Sequence, residues 1–203
     1  FYKLSIDRDD ERSIALNFAL YKLLKMTKKF YMLGPNISSI PEGFDKKYNA
    51  TFEKTDYATV AVDIIDLKSV ESKVSVTERE RILFDLLLGL NETTIVYCSS
   101  PEKVNQLVEN FLIYSEGKLE QIDDVEVNHL TQWIDENIHK EWILRRGIKN
   151  SIGLHHGAIP RHLASSIVDL FNNQKLRYVL CTSTLIEGVN TSAKNVDYFH
   201  NKK

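Results

Sequence analysis

Apolar residues recur along the chain with two different periods, and the change of period marks its elements. Asp9-Asp10-Glu11 supplies an acidic start suited to a helix N-terminus, and Arg12 to Met26 follows in good helix formers. The apolar residues Ile14, Leu16, Phe18, Leu20, Leu23 and Leu24 fall nearly all round that helix, which predicts one covered on much of its surface. Lys29 to Leu33 reads as a short strand stopped by Gly34-Pro35-Asn36. Residues 36–56 are polar and read as a connection. Tyr57 to Leu67 alternates β-branched with polar residues and is expected to be extended, with loop over 68–76.

Beyond residue 76 the pattern sharpens. Thr77 to Leu90 predicts a helix, with Ile82, Leu83, Leu86 and Leu87 on one face. Thr93 to Cys98 is a short apolar run, the mark of a strand covered on both faces. Ser100 is a good N-cap and Pro101 fits a first helical position; Val104, Leu107, Val108, Phe111 and Leu112 then keep helical spacing. A helix is predicted over His129 to Trp142, with Arg145-Arg146-Gly147 as its exit. Ser151 to Leu154, Leu176 to Cys181 and Asn195 to Phe199 predict strands, and Pro160 opens a helix whose inner face carries Leu163, Ile167, Leu170 and Phe171.

Strands alternating with helices imply an α/β fold: a parallel sheet with helices on both faces. Right-handed crossovers gather the loops after the strands at one edge, where such sheets bind ligands. The residues with chemistry to offer lie in those loops: Ser99-Ser100, His155-His156-Gly157 and Thr182 to Asn190.

Composition narrows the classes. The 203 residues suit one domain plus a piece of another, and no apolar run approaches the ~20 residues of a membrane span. Two cysteines, Cys98 and Cys181, are too few for a disulfide framework and read as buried thiols in a reducing cytoplasm. A net charge of −2 means that any nucleic-acid contact is local, made by hydroxyls, backbone N–H groups and a few cations. His155 and His156 are adjacent on a strand, so they point to opposite faces and do not chelate one ion. Trp133 and Trp142 are expected in the core, and Arg145-Arg146 as a solvated pair, with Lys140 and Lys149 leaving room for a phosphate-facing patch.

Three segments together resemble superfamily-two helicases of the Ski-type and related DEAD/DEAH-box group. Cys181-Thr182-Ser183-Thr184-Leu185-Ile186-Glu187-Gly188-Val189-Asn190 is similar to that group's motif V. Ile152 to Pro160 is similar to its G-x-H-H-G-x-x-P segment, and Ile95 to Ser100 to its motif IV strand. A looser match sets Phe1-Tyr2-Lys3-Leu4 just after a Walker B box. Residues 29–36 would then be the motif that couples the two sites, with Gly34-Pro35-Asn36 in place of the common Ser-Ala-Thr.

The resemblance implies a remnant of a first RecA-like domain with its connection over 1–56, a linking strand and loop over 57–76, and a second RecA-like domain over 77–203, truncated before motif VI. It places Ser99, Ser100, His156, Gly157, Thr182, Ser183 and Thr184 on nucleic acid, Glu187, Gly188 and Asn190 on nucleotide, and Gly34 and Pro35 at the coupling loop. It implies ATP and Mg2+ as cofactors of the complete enzyme and, as partners, the missing first domain and a nucleic acid, with DNA preferred to RNA. No catalytic residue falls within this chain, which is expected to be inactive alone. Small hydroxyl donors suit that role because a translocating motor must grip the sugar-phosphate backbone without reading bases. Two other classes remain: a small-molecule enzyme on a doubly wound sheet, and a non-catalytic interaction domain. The first calls for a phosphate loop or catalytic dyad, and no G-x-G-x-x-G, Walker A or G-x-S-x-G run is present.

Overall fold

A computed structural model describes residues 11–27, 29–33, 39–54, 61–65, 76–186 and 190–199. The chain divides into two compact units, Phe1–Ile64 and Ile65–Lys203.

In the first unit, helix α1 spans Glu11–Met26 and a single turn, α2, spans Phe44–Tyr48. The apolar ring of α1 is read correctly from the sequence, but its covering is not within the unit: Ile14, Phe18, Leu23 and Met26 are all exposed. The expected strand at 29–33 does not form, nor do residues 61–65 join a ladder. Among the described residues neither segment has a neighbouring strand to take its backbone N–H and C=O groups, and alternation alone does not make a strand. Gly34, Pro35 and Asn36 lie outside the described residues.

The second unit carries α3 (Val76–Gly89), β1 (Thr94–Tyr97), α4 (Pro101–Tyr114), α5 (Val125–Asn137), α6 (Ile143–Lys149), β2 (Ile152–His155), α7 (Arg161–Asn172), β3 (Tyr178–Cys181), α8 (Ser183–Ile186) and β4 (Asn195–Tyr198). The strands form one sheet in the order β2-β3-β1-β4, and every pairing is parallel. This is the parallel α/β sheet that the alternation of elements predicts, and it is consistent with the RecA-like fold that the resemblance implies. Strands β1, β2 and β3 are buried at every position, as both-face covering requires.

The register sorts the side chains by face. Tyr178 lies level with Ile152 and Thr94, and its ring meets Phe111 of α4 edge-on at 5.3 Å while its hydroxyl donates to the Leu87 carbonyl of α3 at 2.8 Å. Helices α3 and α4 therefore cover this face, locked to each other by the stacked Phe84 and Phe111 rings at 5.0 Å. Gly153, one residue on, faces Ile167 of α7, so α7 covers the other side. Helices α5 and α6 flank β2.

Two helix limits differ from the sequence pattern. Helix α5 starts at Val125 because Asp124 caps it, accepting from Glu126 N and Val127 N at 2.9 and 3.2 Å. It ends before Ile138, and Arg145-Arg146-Gly147 sits inside the separate helix α6 rather than at an exit. Nor are the two arginines a solvated pair or a phosphate patch. Arg145 donates from Nε and Nη2 to the Asp135 carboxylate at 2.9 and 3.1 Å, and Arg146 pairs with Glu109 at 2.9 Å. They clamp α6 to α5 and to α4.

Candidate nucleic-acid interface

Parallel strands deliver their carboxyl ends to one edge, so the residues that follow β1, β2 and β3 meet there. Cys98 N donates to the Cys181 carbonyl at 2.7 Å and Thr182 N donates to the His155 carbonyl at 3.1 Å, which carries the ladder one step past the strands. Ser99-Ser100, His156-Gly157 and Thr182-Ser183-Thr184 are thereby brought together across three adjacent strands. Of the residues expected on nucleotide, Asn190 is exposed, and Glu187 and Gly188 lie outside the described residues.

After β1, Ser100 caps α4, its hydroxyl accepting from Lys103 N at 3.4 Å. The Glu102 carboxylate takes its own backbone N–H and the Ser100 hydroxyl, which hold it below the ordinary carboxylate range. One anion thus already sits at this helix start. The Lys103 ammonium turns instead to Ser99 Oγ at 3.1 Å. Lys103 was not among the sequence candidates, although its place four residues past Ser99 at a helix start was a usable signal.

After β3, Thr182 is buried at 8% exposure and its hydroxyl lies 3.2 Å from that of Thr184, which is exposed. Leu185 N donates to the Thr182 carbonyl at 3.2 Å, turning the chain into α8. The resemblance places Thr182, Ser183 and Thr184 alike on nucleic acid. The structure puts Thr184 outside and Thr182 behind it.

After β2, Gly157 is exposed. A Cβ there would meet only the Thr184 methyl, at 3.9 Å, and its φ lies outside the left-handed region. Neither packing nor backbone conformation requires glycine, so what it provides is an uncovered backbone beside Thr184. Gly157→Ala is expected to leave the thermal midpoint within about a degree of the parent, since surface changes cost within ±0.5 kcal/mol, while weakening whatever lies against that backbone. Unfolding and binding measured on the same preparation separate the two effects.

His155 and His156 do diverge: His155 is level with Cys181, and His156 is the next residue along. Both are buried, and both ring nitrogens of His156 lack a hydrogen-bond partner. Burial lowers the pKa of each; the nearby Glu102 partly offsets this for His156, and His156 adds to it for His155. The folded state therefore resists protonation, and below the ordinary imidazole pKa of 6.5 the unfolded chain binds more protons. Stability present above that pH is lost as pH falls. Asp197, whose carboxyl burial pushes up, works in the opposite direction. The urea midpoint of the double variant His155→Asn, His156→Gln is expected to fall less between pH 7.5 and 5.5 than that of the parent, and an equal fall in both would contradict this assignment. The thiols of Cys98 and Cys181 are buried and pushed up to about 12 by desolvation, which makes them poor nucleophiles at neutral pH.

Trp142 packs against the core. Trp133 does not follow the core expectation: it is 39% exposed, with its ring against His162. Spacing along the helix could not reveal this, because the helix breaks at Ile138 and leaves Trp133 in α5 and Trp142 at the cap of α6. No described helix is long and apolar enough to cross a membrane.

No family model matches the chain. Anti-bacteriophage protein B of Escherichia coli (strain K12) is 38% identical over 213 residues, an alignment covering 100% of this chain and 28% of that protein. The DExH-box ATP-dependent RNA helicase DExH14 of Arabidopsis thaliana is 34% identical over 113 residues, covering 53% of this chain and 4% of the plant protein. The chain is thus related to a phage-defence protein and, over about half of its own length, to a DExH-box helicase. It spans 28% of the length of the first and 4% of the second.

Proposed function

We propose that this chain is the backbone-gripping part of an ATP-dependent nucleic-acid helicase or translocase. The observation that carries the reading is the meeting of Ser99, Lys103, Gly157 and Thr184 at the carboxyl ends of three adjacent parallel strands. Two hydroxyls, one ammonium and an uncovered backbone offer donors to phosphate oxygens and nothing shaped to a base edge. The relation to a DExH-box helicase supports the same reading. Two buried free thiols fit a reducing cytoplasm.

In this reading ATP and Mg2+ need groups beyond those of this chain, whose sequence holds no Walker A run. A first RecA-like domain would hold the phosphates and the metal, with Glu187, Gly188 and Asn190 forming one wall of the cleft. Gly34 and Pro35 would lie on the coupling side. The exposed apolar face of α1 is what such a domain would cover.

The chain alone is expected to show no nucleotide turnover above background, with or without nucleic acid. In a longer protein that also carries a phosphate-binding loop, nucleic acid should stimulate ATP hydrolysis, and Ser99→Ala should reduce the stimulated rate more than the basal one. Turnover by the 203-residue chain, or equal loss of both rates, would overturn the reading.

A further inference from the structure

Two ion pairs and one ring contact fix where Trp133 lies. Lys175, just past the end of α7, pairs with Asp124 and Glu126 at the start of α5, at 3.2 and 3.0 Å. At the other end of α5, Trp133 meets His162 in the first turn of α7, with ring centroids 5.1 Å apart and planes at 78°. The helices run antiparallel, and α7 begins just beyond the carboxyl end of β2. Trp133 and His162 therefore stand at the same sheet edge as the hydroxyl donors, on the side of β2, the outermost strand.

The exposure is selective. Ile134 and Leu163, their neighbours in sequence, are 0% and 1% exposed, so the α5–α7 seam closes without help from the indole, which remains 39% exposed. Perpendicular packing leaves at least one broad face of the indole uncovered by the imidazole. Arg161, exposed at the first position of α7, stands next to His162. Glu136, one turn past Trp133, is held by the Gln132 side-chain amide at 2.8 Å.

We propose that Trp133, braced by His162, is a stacking platform for a base of single-stranded nucleic acid whose backbone runs along the row of Ser99, Thr184 and Gly157. The assignment rests on the backbone-gripping reading and adds a subsite to it. Every base has a π-face, so one aromatic surface beside a phosphate track binds strands without selecting sequence. An exposed indole beside a row of phosphate-facing donors fits a base of the same strand better than it fits an aliphatic protein surface.

The chain has two tryptophans, so Trp142→Phe leaves Trp133 as the sole indole reporter. The 203-residue chain carrying that change is titrated with a labelled oligothymidylate and with an abasic strand of equal length, reading indole fluorescence and oligonucleotide polarisation together. Thymidylate should quench the indole saturably and the abasic strand should not. In the otherwise unaltered chain, Trp133→Ala should weaken thymidylate binding by about 5- to 150-fold, corresponding to ~1–3 kcal/mol per stacked base. It should leave abasic affinity unchanged, and Trp133→Phe should recover most of the loss. Thymidylate binding without quenching, or equal loss on both strands, would overturn the platform and leave the backbone reading standing. Failure of the unaltered chain to bind either strand would overturn both.

Discussion

Thr184→Ala is expected to weaken single-strand binding by about 10- to 150-fold, the ~1.5–3 kcal/mol lost when a hydrogen bond to a charged group is removed. Thr184 is the exposed member of a hydroxyl pair, 3.2 Å from the buried Thr182. The inner hydroxyl orients the outer one, so the two act as a unit. Thr182→Ala should then cost less than Thr184→Ala, and the double variant little more than Thr184→Ala alone, a coupling that a double-mutant cycle reads directly. Thr184→Ser retains the hydroxyl and should retain most of the affinity. Binding isotherms for the four proteins at one salt concentration decide this. Full affinity in a folded Thr184→Ala variant would remove this residue from the interface.

The second large effect concerns stability. Gly147→Ala is expected to destabilise the fold by about 2 kcal/mol, the balance of two opposed effects. Alanine in place of glycine inside a helix ordinarily gains ~1 kcal/mol. Here the added Cβ would sit 2.6 Å from the Ile152 carbonyl oxygen of β2. That oxygen is backbone, so relief requires moving α6 off the strand, an overpacking cost at the upper end of ~1–3 kcal/mol. Gly153→Ala should also destabilise, because its Cβ would crowd Ile167 Cγ2 at 2.9 Å, Leu176 Cδ1 at 3.1 Å and Val179 Cγ2 at 3.2 Å. Those are side-chain atoms that can shift by tenths of an ångström. Urea denaturation gives the sign, and stabilisation by Gly147→Ala would refute the close approach of α6 to β2.

The sheet was legible because its strands are short apolar runs separated by helices of clear period. The runs 93–98 and 176–181 narrow to Thr94–Tyr97 and Tyr178–Cys181 without changing their neighbours. What the pattern hid depends on partners remote in sequence. The start of α5 turned on Asp124 as a cap, and Arg145 and Arg146 read as surface charge until Asp135 and Glu109 were found opposite them. Thr182, Ser183 and Thr184 read alike as donors in a loop after a strand, yet the turn into α8 buries Thr182 and leaves Thr184 exposed. In the first unit, the short strand expected over 29–33 does not form, and the covered helix expected at α1 is bare on several sides.

The most direct test of the central claim is a titration of the 203-residue chain with single-stranded oligonucleotides of equal length and different base sequence, repeated across salt concentrations. A surface that grips sugar and phosphate without reading base edges predicts dissociation constants nearly independent of sequence. It also predicts that the logarithm of the association constant falls linearly with the logarithm of salt, with a slope of about −0.7 per phosphate neutralised. Absence of binding at low salt, or affinity that follows sequence and ignores salt, would contradict it.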